Sequence, residues 1–327
     1  MTHDLSADTQ AALLLTSQLA QREQGPSPLR TTEFVGLVKV LKENGLQPSD
    51  LFEAANAERM DEVGGIDAGR VRALLARGLA LSMALDKWES QGIWVLGWTD
   101  EPYPERYRER LRGNAPPVLY GIGDPGLLSG RSVGIVGSRN IDERGVAFAR
   151  GVAESCARQK VKVISGGARG VDSEAMIACV TTGGSSVGIL SDSLARQAVS
   201  KFREGVVEGT LVLISPFEPE AHFLIGNAMA RNKLIYALSD FALVVSSDYN
   251  TGGTWAGATE NLKKGWAPLF VRSGDDVPEG NRRLLKMGAI PMPEDFSDLG
   301  DPFEWMEEQS VPVSQKDEEG RETLSLF

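Results

Sequence analysis

The apolar positions change period along the chain. In the first third they recur at helical spacing: Phe34, Leu37, Val38, Val40 and Leu41 share one face, and Val71, Leu74, Leu75, Leu79, Leu81 and Leu85 line a second helix over 67–91. This predicts a small helical domain. Residues 1–30 are polar except for one short amphipathic stretch over 11–19, and they read as an arm, helical or disordered. Strands over 93–96 and 118–120 follow, separated by a short helix and the Pro116-Pro117 break. From Ser132 onward, near-continuous apolar runs alternate with helical segments: strands over 132–136, 162–165, 186–190, 211–215, 241–245 and 268–271, and helices that include 145–160 and 173–181. Strands apolar on both sides and separated by helices predict a parallel sheet covered on both faces, the α/β class. The organisation expected is therefore an arm over 1–30, a helical domain and connector over 31–115, the α/β domain over 116–310, and a disordered acidic tail over 311–327.

Composition narrows the classes. With 327 residues, 42% of them apolar, the chain can bury a sizeable core. No run of about 18 apolar residues is available to span a bilayer, and the N-terminus lacks a basic start followed by an apolar stretch, so a cytoplasmic protein without membrane partners is expected. The two cysteines, Cys156 and Cys179, each sit in an apolar pattern and read as buried thiols. His3 and His222 are the only histidines, so no metal site is expected. A net charge of −11 disfavours a general polyanion coat, so any nucleic acid must be held at a local patch.

Candidate chemistry gathers where ligands bind in such sheets, beyond the carboxyl ends of the strands. Three glycine-bearing segments fall there: GSRN at 137–140, SGGARG at 165–170 and NTGGTWAGA at 250–258. Glycine lets backbone N–H groups approach a ligand, and the helix that follows turns its positive end toward the same place, which suits a phosphate or another anion. VGIVGSRN does not fit the dinucleotide fingerprint and no G-x-x-x-x-G-K-[ST] occurs, so nicotinamide-dependent and P-loop readings are disfavoured. Trp255 and Tyr249 are available to stack on unpaired bases.

The order of these pieces resembles the DprA/Smf DNA-processing family. It is carried by GIWVLGWTDEPYPERYRERLRGNAPPVLYGIG, VGIVGSRN, ISGGARGVDSEA, ARNKLIYALSD, TGGTWAGA and GNRRLLKMGAIPMPEDF, over 32–296. The resemblance implies an extended Rossmann-type domain behind a small helical domain of the SAM or helix-hairpin-helix kind. It also implies a non-catalytic protein without cofactors that binds and protects single-stranded DNA, delivers it to a RecA-type recombinase in recombination, transformation or defence, and forms a homodimer. The implied phosphate contacts are Gly137, Ser138 and Arg139 on the first turn; Gly166, Gly167, Arg169 and Gly170 on the second; Arg231, Asn232 and Lys233 on the family's RNR segment; and Thr251, Gly252, Gly253 and Thr254 on the last turn. The departures from the family pattern are Lys233 for arginine, which loses the bidentate fork, Met176 for histidine, DSLARQAV after the third strand of the sheet, and the lack of a counterpart to the family's winged helix. The apolar run Leu234, Ile235, Tyr236, Leu238 is the candidate dimer surface or, equally, a buried helix.

Two further readings come from the sequence. GGTWAGATE is similar to the glycine turn of the phosphoribohydrolases that act on nucleoside monophosphates, with Glu260 as the one available acid; a nucleotide-binding sensor would use the same pocket without turnover. The last residues, Thr323 to Phe327, read TLSLF after an acidic stretch. They are similar to the pentapeptide by which replication and repair proteins engage the sliding clamp, with Thr323 in place of glutamine. Exposed leucines and phenylalanine there call for an apolar groove, on a partner or on the fold itself.

Overall fold

In the computed structural model the described residues are 5–19, 25–53, 55–56, 67–192, 194–198, 202–295 and 301–310, and they form two compact units. The expectations for the tail at 311–327 lie outside these residues.

The first unit comprises 1–129 and 189–231. It holds α1 (Ala7–Thr16), α2 (Thr31–Glu43), α3 (Ala68–Leu75), α4 (Gly78–Ser90), β1 (Trp94–Gly97), α5 (Glu105–Leu111) and β2 (Val118–Ile122). From its second segment come α8 (Leu194–Ala198), α9 (Arg203–Val207), β6 (Leu211–Ser215) and the start of α10 (Ile225–Leu238). β2 pairs antiparallel with both β1 and β6.

The N-terminal segment departs from the expected polar arm. Helix α1 lies at the centre of this unit, with Ala11 to Leu15 at most 3% exposed. The stretch read as amphipathic is apolar on every side over AALLL, and a helix apolar all round belongs in a core. Asp100 secures it, accepting from Ser6 Oγ at 2.7 Å, from Thr9 Oγ1 at 2.9 Å and from the Gly97 amide at 2.7 Å.

The single helix expected over 67–91 is two helices, broken at Arg77. The guanidinium of that residue donates to the Leu14 carbonyl, and to those of Ser17 at 3.0 Å and Gln18 at 3.3 Å. These are the carbonyls that the end of α1 leaves unpaired, and the break in the helix gives them a partner. Leu79, assigned to the core by its spacing, is 78% exposed as a result of the break.

Glu33 of α2 accepts from Arg70 of α3 at 2.9 Å and from the Arg30 amide at 2.7 Å. The Arg70 hydrogen bond first, and then the Arg30 amide, pull its carboxyl down to about 2. A depressed folded-state value means stability that is present above the ordinary carboxylate range and lost as pH falls from about 4.5 toward 2. Glu33→Gln should flatten that part of the urea-midpoint profile by less than about 1 kcal/mol, because the pair is partly exposed.

The second unit comprises 130–188 and 232–327. Its elements are β3 (Ser132–Gly137), α6 (Glu143–Arg158), β4 (Lys162–Ser165), α7 (Val171–Thr181), β5 (Ser186–Ile189), the remainder of α10, β7 (Phe241–Ser246), α11 (Gly252–Lys264), β8 (Leu269–Ser273), α12 (Glu279–Lys286), β9 (Ile290–Pro293) and α13 (Pro302–Ser310). The strand order is β5-β4-β3-β7-β8-β9, and the pairs β3–β4, β3–β7, β4–β5, β7–β8 and β8–β9 are parallel. The chain moves one way from β3 through α6 to β4, and the opposite way from β7 through α11 to β8. Right-handed crossovers then place α6 and α7 on one face and α11 and α12 on the other. The fold is thus the expected Rossmann-type α/β sheet.

Strand β9 is absent from the sequence reading because IPMP carries two prolines. At the end of the strand order a missing ladder donor is tolerated. The run Leu234, Ile235, Tyr236 and Leu238 is 1% exposed at each residue, and Ile235 lies against Gly134 of β3. It belongs to the core and is withdrawn as a dimer surface. Both cysteines are free and buried.

Candidate nucleic-acid interface

The direction of winding reverses between β3 and β7, which makes the crevice beyond their carboxyl ends the expected ligand position. The residues that open it are short and closely held. Gly137 is paired with Ser246 across a register irregularity, and the Ser138 amide donates to the Ser246 carbonyl at 2.9 Å. The turn after β3 continues with the Asn140 amide donating to Ser138 Oγ at 3.1 Å, and Asp142 caps α6 by accepting from the Gly145 amide at 2.7 Å.

The turn after β4 folds against this first turn. The Val171 amide donates to the Ser138 carbonyl at 3.3 Å, and Gly170 lies so near that a Cβ would stand 2.4 Å from that oxygen and 2.8 Å from Arg139 Cα. Gly167 and Gly170 both take positive φ, which explains the glycines of SGGARG. Arg139 and Arg169 are exposed at the rim, Arg169 donating to Asn140 Oδ1 at 3.2 Å.

Beyond β7 the chain turns through Asn250 at φ +56° and Gly252 at φ +79° into α11. Thr251 stands at the N-cap of α11 without a side-chain hydrogen bond to the helix, and Gly170 occupies the same position on α7. At α7 the Val171 and Ser173 amides already donate to the Ser138 and Ala168 carbonyls, and Asp172 and Glu174 stand in the first turn. Helix α11 begins with N–H groups that no cap side chain occupies and with no acidic residue in its first turn, the arrangement that receives an anion. Asn232 Nδ2 donates to the Gly253 carbonyl at 3.0 Å and fixes α11 against α10. Burial lowers the Lys233 ammonium, and Glu260 opposes that shift. Glu260 itself is exposed.

Of the residues singled out from the sequence, Gly137, Ser138, Arg139, Gly166, Gly167, Arg169 and Gly170 stand on two mutually bonded turns, and Thr251 to Thr254 form the start of α11 at the neighbouring strand end. Arg231 differs: it is 5% exposed, one residue before the part of α10 that belongs to this unit. Sequence reasoning missed two residues, both within GNRRLL. Asn281 is fully buried, accepting from the Ser247 amide at 2.9 Å and donating to the carbonyls of Val245 and Arg272 at 3.0 Å each. Arg283 donates to Glu279 at 2.7 Å and lies 4.9 Å over the Tyr249 ring. Arg283 first and Arg282 second hold the Glu279 carboxyl below its ordinary range. The signal available for Asn281 was a polar residue at the start of a short, strongly amphipathic helix. Among the described residues, no group of three or more histidine, cysteine, aspartate or glutamate side chains could hold a metal ion, and no helix is long and apolar enough to cross a membrane.

An open parallel sheet whose switch point gathers glycine turns, the uncapped start of α11 and rim arginines defines a Rossmann-type α/β protein. Comparison with known proteins gives the family. The model of the DNA recombination-mediator protein A family matches residues 94–300, and the chain belongs to that family. It is 24% identical over 297 residues to Protein Smf of Synechocystis, covering 81% of this chain and 73% of that protein. It is 26% identical over 217 residues to the DNA processing protein DprA of Bacillus subtilis, covering 64% and 71%. The crystal structure of DprA from Streptococcus pneumoniae superposes with a TM-score of 0.62 at 19% identity, covering 81% of this chain and 95% of that one. A Helicobacter pylori DNA processing protein A, whose structure is described for its single-stranded DNA binding mode, superposes at 0.51 with 24% identity, covering 61% and 90%.

Proposed function

We propose that this protein binds single-stranded DNA without catalysis at the carboxyl edge of the second unit, protecting the strand and passing it to a RecA-type recombinase in recombination, transformation or defence. The observation that carries the reading is the start of α11 at Thr251, free of a side-chain cap and of acidic residues, in the same unit as the glycine turns that present Arg139 and Arg169 at the exposed rim. N–H groups and guanidinium groups together suit phosphate oxygens. In a chain of net charge −11, such a patch localises a polyanion to one edge. Family membership and the single-stranded DNA binding of the similar Helicobacter pylori protein support the choice of ligand. The proposal extends to a cytoplasmic location, to a homodimer, and to a sliding clamp engaged through Leu326 and Phe327.

The test is fluorescence anisotropy of a labelled oligothymidylate across a salt series. The double variant Arg139→Ala/Arg169→Ala should bind at least about tenfold more weakly and lower the magnitude of the log–log salt slope by about 1.4, from about 0.7 per lost single-strand phosphate contact. Unchanged affinity and slope in a folded double variant would remove the reading.

A further inference from the structure

Tyr249 has no part in the phosphate contacts, yet its surroundings are built. It is 49% exposed, at the mouth of the crevice, three residues beyond the end of β7. Its ring meets Trp255 edge to face at 5.1 Å and 81°, and Arg283 stands 4.9 Å over it. Arg283 is in turn fixed by Glu279 at 2.7 Å, and the backbone beside the ring is set by Asn250 in the left-handed region. Trp255 is half-buried and stands against Tyr249. An aromatic ring oriented by a second ring and a cation, with half its surface open, has already lost the rotamer freedom that binding would otherwise remove.

We propose that Tyr249 is a stacking platform for one nucleobase of the bound strand, with Trp255 and Arg283 as its positioning residues. This rests on the single-stranded DNA reading above. A base is the occupant that fits, because the neighbouring turns offer N–H and guanidinium groups for the phosphates on either side while the ring offers a flat apolar face. Stacking of this kind tolerates any base and requires that it be unpaired, so the platform selects single strands over duplex.

Two labelled probes separate the contributions: an oligothymidylate, and a tract of the same length made of abasic spacer, which keeps the phosphates and lacks the bases. The wild-type protein should favour the oligothymidylate by about tenfold. Tyr249→Ala should lose that preference by binding the oligothymidylate about tenfold more weakly and the abasic tract unchanged, with the salt slope intact; Tyr249→Phe should match the wild type. Equal binding of oligothymidylate by Tyr249→Ala and wild type, or an equal loss on both probes, would overturn the platform and leave the DNA reading standing. Failure of the wild-type protein to bind either probe would overturn the DNA reading, and the platform with it.

Discussion

Asn281→Leu should destabilise the second unit by about 4 kcal/mol, with a lowered midpoint in urea and an unchanged first unit if the two unfold separately. The side chain is fully buried and bonds three backbone groups from two strands: the Ser247 amide and the carbonyls of Val245 and Arg272. Leucine has the same branching and the same number of side-chain heavy atoms, and it satisfies none of them. Each buried group left without its partner costs about 1 to 3 kcal/mol, and the three losses share one site, so the sum is taken below the upper bound. The same variant should weaken strand binding, since Asn281 fixes the end of β7 from which the Tyr249 turn departs. Asn281→Asp tests the mechanism, because it keeps the acceptor for Ser247 and loses the donor to both carbonyls. A stability loss below about 1 kcal/mol in Asn281→Leu would show that the two strand ends hold their positions without it.

Gly170→Ala should retain the fold at a cost of about 3 kcal/mol and abolish most of the strand affinity. The residue has φ +88° and ψ −136°, a region that side chains enter at a cost of about 1 to 3 kcal/mol. The added Cβ would also stand 2.4 Å from the Ser138 carbonyl oxygen and 2.8 Å from Arg139 Cα. Both neighbours are backbone, so relief requires the first and second turns to separate, and that moves Arg139 and the start of α7 together. Calorimetry reads the stability change and anisotropy the binding. Retained affinity with a lowered melting temperature would mean that the two turns need not touch for the site to work.

The α/β order and the glycine turns were legible because they depend on local chemistry. A buried parallel strand must be apolar on both sides, so β3, β4, β5 and β7 appear as short apolar runs. A positive φ or a close backbone approach requires glycine wherever it occurs, so Gly167, Gly170 and Gly252 announce turns without reference to their neighbours. The arginines at 139 and 169 were legible as residues of those turns.

What the sequence concealed depends on distant partners. Ala11 to Leu15 form too short a run to show which way they face, and the burial of α1 is decided by Asp100 and Arg77, some 60 to 90 positions along the chain. Leu234 to Leu238 gave the same apolar signal whether they faced solvent, a partner or β3. Only the strand order placed them inside. Asn281 and Arg283 are ordinary polar residues of a short helix until that helix is set against the end of β7, where one becomes a backbone clamp and the other covers a tyrosine. Sequence alone determines which backbone shapes and apolar runs are allowed, because these are properties of single residues and their immediate neighbours. Which polar side chain meets which strand end is decided only when the sheet is assembled, because hydrogen bonds act over about 3 Å and the residues that form them lie far apart in the chain.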